Sequence, residues 1–565
     1  MEKQRNSFIE NLLSFRNEGT HKVITVFGFK IKIKLKRLVL ERILEQQKQE
    51  LEQQKQELGA FMSDKNLIDI YNKSKKWIYI NTISEKGIVV QSTSEGSNIY
   101  EGIAYPEVTG YFIPSLLNWG HRKLAIQYAK WLVNIQHRDG SWFDYFDNSP
   151  YIFDTAQVLK GLIAIYPIMP EVKDSILKGC DWIISKIEEN GRLQFIDRSL
   201  MQLSSTTELI HLYCLSPLVD AGKLFNKPEY IEITKKVLSY YKGEINKILD
   251  FHTLSHFYAY ILDALLDLGE IDLVKQAMEK VSKLQRKSGA VPAYKNVEWV
   301  CSVGLFQFSI IWYKLREKER ADRAFDFACS MQNESGGWYG SKGEGADYNP
   351  KDEISWANKY FLDALSLKIS THFASTGIES TTDEYPLVDK IQNNDGRLLT
   401  VLHNISKSSK VLEVGCGFGR ILKEVKKQYP DVEAYGIDLD ESILQRLPSE
   451  INSKVGSILK IPYEDNTFDF VFCVEVLEHA IDIENAIEEL FRVTKPGGKV
   501  LILDKNIECW GKYQTPTWEQ WFDKKDLVEL MKKWSIEISV LEDIPYDDND
   551  GKEGLFMAWT GRKKI

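Results

Sequence analysis

The sequence predicts a multidomain protein in which an all-α double ring of helices precedes an α/β domain with a doubly wound sheet. Helical runs recur at spacings of about 50 residues in the first two thirds of the chain, which signals a repeat architecture. After residue 385, short apolar strands alternate with helices, as in parallel sheets with crossover helices. The polar, helix-poor stretch 371–384 is the predicted linker between these two patterns.

Length and composition agree with several folded domains in the cytoplasm. The chain has 565 residues, of which 43% are apolar, and this is enough for sizeable cores. The net charge of −9 argues against a general nucleic-acid binder. The seven cysteines include no CxxC pair, so neither a disulfide framework nor a metal site is expected. We also expect no spanning helix and no signal peptide.

Residues 1–60 form a basic head. Val23–Lys36 alternates apolar and basic residues, which predicts a strand with one polar face. Its lysines allow two interpretations, namely peripheral contact with an anionic membrane surface or a solvated edge strand protected from aggregation. The repeat EQQKQEL at 45–58 predicts a polar helix, with weak self-association as the alternative. The oligomeric state stays open.

Residues 61–370 alternate two kinds of helical run. Amphipathic, charged runs suit the outside of a ring, and more apolar runs suit its inside. The predicted outer helices are Asn66–Tyr79, Leu124–Gln136, Val172–Ile187, Tyr230–Ile248, Ile271–Gln285 and Ala321–Gln332. The predicted inner helices are Thr109–Leu117, Phe153–Ile165, Ser205–Leu215, Ser255–Leu268, Ser302–Leu315 and Ile354–Leu365.

The loops after the outer helices repeat as well. Gln136–Trp142 and Gln332–Trp338 share Q-x-x-x-G-x-W, and Gln285–Gly289 is a degenerate copy. The glycine permits the left-handed turn that ends a helix, and the tryptophan can cover the apolar end of the hairpin. This pattern resembles the QW repeat of the terpene-cyclase and prenyltransferase superfamily of (α/α)6 toroids. The resemblance implies a toroid at residues 61–370.

Polar residues at the starts of the inner helices would face the interior of the ring. They are Glu107, Thr109, Asp154, Thr155, Thr206, Glu208, His252, His256, Ser302, Glu353 and Asn358. Asp154 loosely resembles the catalytic acid of oxidosqualene cyclases, although the cysteine and terminal acid of that motif are absent, and it is the candidate catalytic residue of the ring. Glycan binding, sugar chemistry and terpenoid chemistry stay open, as do helix capping and an inactive wet cavity.

The strongest chemical signal is a strand, a Gly-rich turn and a helix at Val411–Arg420. The glycines let the backbone pass close to a ligand, and the helix presents free N–H groups there. Asp438 ends the next predicted strand, where a carboxylate can accept hydrogen bonds from ribose hydroxyls. A dinucleotide fingerprint would require a glycine at position 420, which is Arg420.

The pattern E-x-G-x-G-x-G from Glu413 to Gly419 resembles motif I of class I S-adenosylmethionine-dependent methyltransferases. Phe468–His479 resembles the fourth strand of that family with the start of its following helix, and Val493–Val500 resembles the turn before the fifth strand. The resemblance implies a Rossmann-like methyltransferase domain at residues 385–565 and S-adenosylmethionine as its cofactor.

The resemblance also assigns roles to single residues. The implied cofactor-binding residues are Glu413, Gly415, Gly417, Gly419, Asp438, Leu439, Ser457, Ile458 and Glu475. Ser457 stands where the family often has an acid that binds the adenine amino group. His479 is the candidate base for a hydroxyl acceptor, the alternative being that it caps or packs over the cofactor. Trp510, Tyr513, Trp518 and Trp521 suit either an acceptor lid or packing against the sheet.

The head and the segments Tyr105–Tyr111 and Phe153–Gln157 resemble proteins of bacterial capsule and O-antigen biosynthesis. The expected reaction is therefore O-methylation of a sugar or glycan precursor, with polysaccharide-assembly proteins as further partners. The toroid would bind or modify that glycan. The alternative is a terpenoid cyclase or prenyltransferase-like ring with an isoprenoid acceptor.

Overall fold

The computed structural model describes residues 67–93, 103–144, 149–194, 208–377, 391–509, 519–544 and 554–565, together with three strands before residue 34. These strands are β1 (Leu13–Glu18), β2 (His21–Val26) and β3 (Phe29–Ile33), which form an antiparallel sheet within a unit of its own, Met1–Leu67. The strand predicted at Val23–Lys36 is thus two paired strands. The polar helix predicted at 45–58 lies outside the described residues.

The second unit, Ile68–Ile565, begins with a helical part. Its helices are α1 (67–80), α2 (Pro106–Asn118), α3 (Arg122–Ile135), α4 (Ile152–Ile165), α5 (Lys173–Ile184), α6 (Ser216–Leu224), α7 (Pro228–Lys242), α8 (Ile245–Ile248), α9 (Ser255–Asp267), α10 (Ile271–Ser282), α11 (Ser302–Lys314), α12 (Lys318–Cys329) and α13 (Ser355–Gly377). Two short antiparallel pairs join its loops, β4 (Gln91–Thr93) with β7 (Asp352–Ile354) and β5 (Val300–Cys301) with β6 (Ser341–Lys342).

Burial separates the helices into the two predicted kinds. In α11 every residue from Ser302 to Tyr313 is buried, whereas α12 buries one face only. The apolar segments pack in succession: α2 on α4, α4 on the 3-10 segment Glu208–Cys214, that segment on α9, α9 on α11, α11 on α13, and α13 on α2. Amphipathic helices such as α3, α10 and α12 each pack against a member of this set.

Two predicted boundaries differ from the structure. Within the inner helix predicted at Ser205–Leu215, the described residues Glu208–Cys214 form a 3-10 segment, and an α-helix starts only at Ser216. Pro217 explains this restart, because proline suits the first turn of a helix and disrupts its interior. Helix α13 continues to Gly377, so the first half of the predicted linker 371–384 is helical, and residues 378–384 lie outside the described residues.

The predicted loop repeat has one recurring geometry. The side-chain Nε2 of Gln136 donates to the carbonyl of Gly140, four residues on, and to that of Ser175 on α5, each at 2.9 Å. Gln285 and Gln332 make the same pair of bonds, with the second bond reaching α12 and α1, respectively. Each glutamine therefore ties the end of one amphipathic helix to the next.

A further copy of this turn has neither the glutamine nor the tryptophan. The N–H of Glu188 donates to the carbonyl of Arg192 at 2.7 Å, as the N–H of His137 does to Ser141 at 3.0 Å. Gly191 has a φ of +94° there. This turn thus has the backbone geometry of the repeat without its glutamine and tryptophan, which explains why the sequence pattern misses this copy.

The remaining chain forms an α/β domain. Its helices are α14 (Gly396–Asn404), α15 (Arg420–Gln428), α16 (Glu441–Leu444), α17 (Ile483–Val493) and α18 (Lys524–Met531). Its strands are β8 (Lys410–Val414), β9 (Glu433–Asp438), β10 (Ile451–Val455), β11 (Phe468–Val474), β12 (Thr494–Lys505), β13 (Ser535–Ile544) and β14 (Phe556–Lys563).

The sheet of this domain has the order β10-β9-β8-β11-β12-β14-β13. Its first five strands are parallel, as predicted, and pack α-helices against their faces. Strand β14 runs antiparallel between β12 and β13, so the sheet is mixed rather than wholly parallel. These last two strands are not predicted from the sequence. Among the described helices, none is both long and apolar enough to cross a membrane.

We predict that Gly336→Ala destabilises the helical part more than Gly345→Ala. Both glycines have positive φ, which costs on the order of 1–3 kcal/mol for another residue. A Cβ at Gly336 would also lie 2.1 Å from the Lys73 carbonyl oxygen, whereas one at Gly345 would meet no atom within 4 Å. Thermal unfolding followed by circular dichroism checks this, and equal losses in the two variants would refute the close approach.

Candidate functional site

A Gly-rich turn stands at the carboxyl end of β8, between β9 and β11, where the strand order reverses. The N–H groups of Gly415 and Cys416 donate to the Ile437 carbonyl at 2.8 and 2.9 Å. The N–H of Gly417 donates to Asp438 Oδ2 at 2.9 Å. Such a crevice at a topological switch point is the usual ligand site of open α/β sheets.

The three glycines of the turn have positive φ but different surroundings. A Cβ at Gly415 would clash with Val476, and one at Gly419 would clash with Leu447. A Cβ at Gly417 would meet no atom within 4 Å. The backbone at Gly417 therefore borders open space, as a turn that lets a ligand approach the main chain requires.

Glu413 lies beneath this turn and is 4% exposed. Its Oε2 atom is buried without a hydrogen-bond partner. Burial raises the pKa of this carboxyl to about 8, although Arg420 nearby opposes the shift. A cationic ligand group above the turn would supply the counter-charge that this carboxylate lacks, which fits the methionine ammonium expected there.

Asp438 ends β9 as predicted, and its Oδ1 also accepts the N–H of Asp440 at 3.1 Å. Beside it, Leu439 is 40% exposed, which leaves an apolar surface for an adenine ring. Ile458 is 8% exposed in the neighbouring loop. Ser457 Oγ accepts the N–H of Leu459 at 3.1 Å, so this hydroxyl already closes a local turn.

Glu475 follows β11 with a φ of +57°, a strained conformation for a residue other than glycine. It forms an ion pair with Arg397, whose Nη2 lies 2.6 Å from Asp395 Oδ2. Burial would raise the pKa of Glu475, but Arg397 and then Arg420 hold it below its usual value. Arg397 is not predicted from the sequence, although Asp395-Gly-Arg397 is a capped helix start directly before β8.

His479 lies on a 3-10 turn after β11, with its Nε2 3.3 Å from Glu478 Oε1. Glu478 also pairs with Lys505, whose Nζ lies 3.0 Å from Glu519. Burial raises the pKa of Glu478 well above its usual value. Potential metal-ligand atoms of Glu478, His479 and Glu519 lie within 4.8 Å of one another, but Lys505 already supplies a cation to both carboxylates.

Of the four aromatic residues predicted to form an acceptor lid or to pack against the sheet, only Trp521 lies within the described residues. Trp521 is 7% exposed and belongs to the apolar core of the domain, which matches the packing alternative. Trp510, Tyr513 and Trp518 lie outside the described residues. The structure thus brings the predicted cofactor-binding residues and His479 together at one edge of the sheet.

Asp154 lies in the helical part, in the first turn of α4, and is 3% exposed. The hydroxyl of Tyr105 donates to Asp144 Oδ2 at 2.8 Å and reaches Asp154 Oδ2 at 3.4 Å. Two buried carboxylates thus share one tyrosine. Burial and then Asp154 raise the pKa of Tyr105 well above its usual value, so this tyrosine stays protonated at neutral pH.

Most other polar residues at the inner-helix starts hold the fold together. Thr109, Thr155, Ser302, Glu353 and Asn358 bond to neighbouring loops or helices, and Glu208 pairs with Arg192. His252 lies exposed before α9, with its Nδ1 2.8 Å from the Asp250 carbonyl oxygen. Thr206 lies outside the described residues.

Tyrosines from several apolar segments converge inside the helical part. The hydroxyls of Tyr213 and Tyr360 lie 3.1 Å apart, and the rings of Tyr213 and Tyr260 lie 4.5 Å apart. His256 packs on Tyr260 and bonds through Nδ1 to Gln307 at 2.8 Å. Burial lowers the pKa of His256 to about 4, so it is neutral here. No sequence spacing indicates this aromatic cluster.

Comparison with known proteins identifies the α/β domain. Residues 412–502 match the model of the family described as "Methyltransferase domain". An uncharacterized methyltransferase of Schizosaccharomyces pombe is 37% identical over 121 residues, 19% of this chain and 44% of that protein. Norajmaline N-methyltransferase of Rauvolfia serpentina is 35% identical over 117 residues, 19% of this chain and 40% of that protein.

A sterol 24-C-methyltransferase of Aspergillus fumigatus is 33% identical over 103 residues, 17% of this chain and 27% of that protein. The chain thus spans less than half the length of these curated relatives. Among solved structures, phosphoethanolamine N-methyltransferase 2 of Haemonchus contortus in complex with S-adenosyl-L-methionine has a TM-score of 0.26. It is 17% identical and covers 31% of this chain and 53% of that one.

The matched range contains the turn, Asp438 and Glu475, which the geometry places around one crevice. The chain therefore contains an S-adenosylmethionine-dependent methyltransferase domain. The open space at Gly417 and the orphan oxygen of Glu413 fit this cofactor. We propose that Glu413 faces the ammonium end of this cofactor, that Asp438 binds its ribose and that Leu439 covers its adenine.

We predict that cofactor binding releases a proton from Glu413. Burial raises the pKa of this carboxyl to about 8, so it carries a proton at pH 7. A bound ammonium favours its charged form. The wild-type protein should therefore release a proton at pH 7 and lose affinity as the pH falls below 8. Calorimetry with S-adenosylmethionine in buffers of different ionisation enthalpy measures this release.

Glu413→Gln should bind without that proton release. Glu433→Gln serves as the control, because Glu433 is an exposed carboxylate at the opposite end of β9. Equal proton release in wild type and Glu413→Gln would contradict the assignment of Glu413.

Proposed function

We propose that this protein transfers a methyl group from S-adenosylmethionine to a hydroxyl of a sugar or glycan precursor in cell-surface polysaccharide biosynthesis. The observation that carries the reaction is the Gly-rich turn bonded to Asp438 above the buried Glu413, whose Oε2 has no hydrogen-bond partner. The observation that favours a glycan acceptor is the tyrosine cluster inside the helical part.

The helical part is, in this proposal, an (α/α)6 toroid. Support comes from the succession of apolar segments that ends with α13 packed on α2. The glutamine-bearing turns add to this support, because each ties one amphipathic helix to the next.

The toroid would bind the glycan, and Asp154 would take part in modifying it. Phenol rings can pack on the apolar faces of sugars while their hydroxyls exchange hydrogen bonds with sugar hydroxyls. The paired carboxylates Asp144 and Asp154 provide acceptors beside Tyr105. Glycoside-cleaving sites also use two nearby carboxylates, so these two residues are the proposed place for any sugar chemistry.

His479 is the proposed base for the acceptor hydroxyl. The cofactor supplies an electrophilic methyl group on its sulfonium, so the protein has to align the acceptor and remove its proton. Glu478, 3.3 Å from His479 Nε2, would orient the imidazole by a hydrogen bond. Lys505 holds Glu478 in place by an ion pair.

An isoprenoid acceptor is the second candidate. The sterol 24-C-methyltransferase among the relatives and the buried aromatic rings of the helical part both favour it. In that case the toroid would be a terpenoid cyclase or prenyltransferase-like domain. For either acceptor we propose a cytoplasmic reaction, with the basic head meeting a membrane surface or polysaccharide-assembly proteins.

We predict that the full chain releases S-adenosylhomocysteine when it is incubated with S-adenosylmethionine and a glycan acceptor. The panel contains nucleotide sugars, surface glycans and isoprenoid alcohols. His479→Gln should slow the reaction by about 100-fold while cofactor affinity stays unchanged, because the lost group acts on the acceptor proton.

His403→Gln is the matched control, since His403 is exposed on α14 away from the turn. Turnover with isoprenoid alcohols alone would replace the glycan proposal by the second candidate. Unchanged turnover in His479→Gln would overturn the base assignment.

A further inference from the structure

The methyltransferase domain contacts the helical part through a buried carboxylate. Asp482 lies at the start of α17, and its side chain is 1% exposed. Its Oδ2 accepts the Tyr71 hydroxyl at 2.9 Å and the Lys75 ammonium at 2.7 Å. Both donors belong to α1, so the helical part supplies one cation and one hydroxyl to a buried carboxylate of the other domain.

Asp482 also caps its own helix. Its Oδ1 accepts the N–H of Asn485 at 3.2 Å, as an N-cap carboxylate does. Burial would raise the pKa of Asp482, but Lys75 holds it below its usual value. The carboxylate is therefore charged at neutral pH and depends on Lys75 for its compensation.

A second contact involves the turn between α2 and α3. Lys460 Nζ donates to Asn118 Oδ1 at 2.8 Å, and a Cβ on Gly120 would lie 2.8 Å from the Leu459 carbonyl oxygen. Asn485 donates to the Trp119 carbonyl at 3.1 Å. The helical part thus contacts both the loop after β10 and the start of α17.

Both contacted segments carry residues of the cofactor crevice. Ser457 and Ile458 directly precede Leu459, and only a short connection separates Glu475 and His479 from Asp482. A shift of Asp482 would therefore move the segment that lines the methionine end. Glu475 is sensitive to such a shift, because its left-handed backbone depends on its surroundings.

We propose that Lys75 and Tyr71 are positioning residues for the methyltransferase site, acting through Asp482 so that the helical part sets the affinity for S-adenosylmethionine. This inference rests on the methyltransferase domain and is independent of the acceptor. Helix α1 would then help to set the cofactor affinity as well as pack against its neighbours.

Lys75→Met should weaken S-adenosylmethionine binding by about tenfold, because it leaves a buried carboxylate without its cation. Tyr71→Phe removes one hydroxyl only and should weaken binding by about threefold. Titration calorimetry on the full chain measures both affinities. Lys73→Met is the matched control, because Lys73 lies on the same helix in an exposed pair with Asp69.

A double-mutant cycle separates positioning from simple stabilisation. In an Asp482→Asn background, where the helix cap is retained and the charge is lost, Lys75→Met should no longer change cofactor affinity. Thermal unfolding of each variant confirms that it is folded. Lys75→Met and Tyr71→Phe variants that are less stable but bind the cofactor with wild-type affinity would overturn the proposal.

Discussion

The hydrogen bonds between the Gly415–Gly419 turn and the end of β9 are the constraint on which the cofactor site depends. They fix the turn to Ile437 and Asp438, and this places the start of α15 over the carboxyl edge of the sheet. The same carboxylate that would bind the ribose therefore also shapes the loop above it. Two consecutive strands of the parallel sheet are enough to build this part of the crevice.

Charge compensation organises the rest of that edge. Glu475 pairs with Arg397, Glu478 pairs with Lys505, and Asp482 pairs with Lys75. Each pair joins elements that are distant in sequence, so each fixes one element of this edge relative to another part of the chain. Glu413 differs because one of its buried oxygens has no hydrogen-bond partner. A cationic ligand group would pair with this buried oxygen and offset the cost of burying it.

The sequence predicts local features well and distant pairings poorly. Strand β8 leads into the Gly-rich turn and strand β11 begins at Phe468, as the sequence predicts, because continuous apolar runs mark strands that are buried on both faces. Strands β13 and β14 went unnamed, since the exposed residues of β13 break the apolar run. Arg397 and Lys75 were also missed, because their partners lie 78 and 407 residues away and no spacing rule reaches that far.

The most direct test of the account is a calorimetric titration of the full chain with S-adenosylmethionine, alongside Asp438→Ala and Asp440→Ala. We expect one cofactor per chain and an affinity about tenfold or more lower in Asp438→Ala, because both the ribose acceptor and the anchor of the turn disappear. Asp440→Ala removes a nearby capping carboxylate and should bind almost normally. Wild-type affinity in Asp438→Ala, or no binding by the wild type, would contradict the assignment of the crevice.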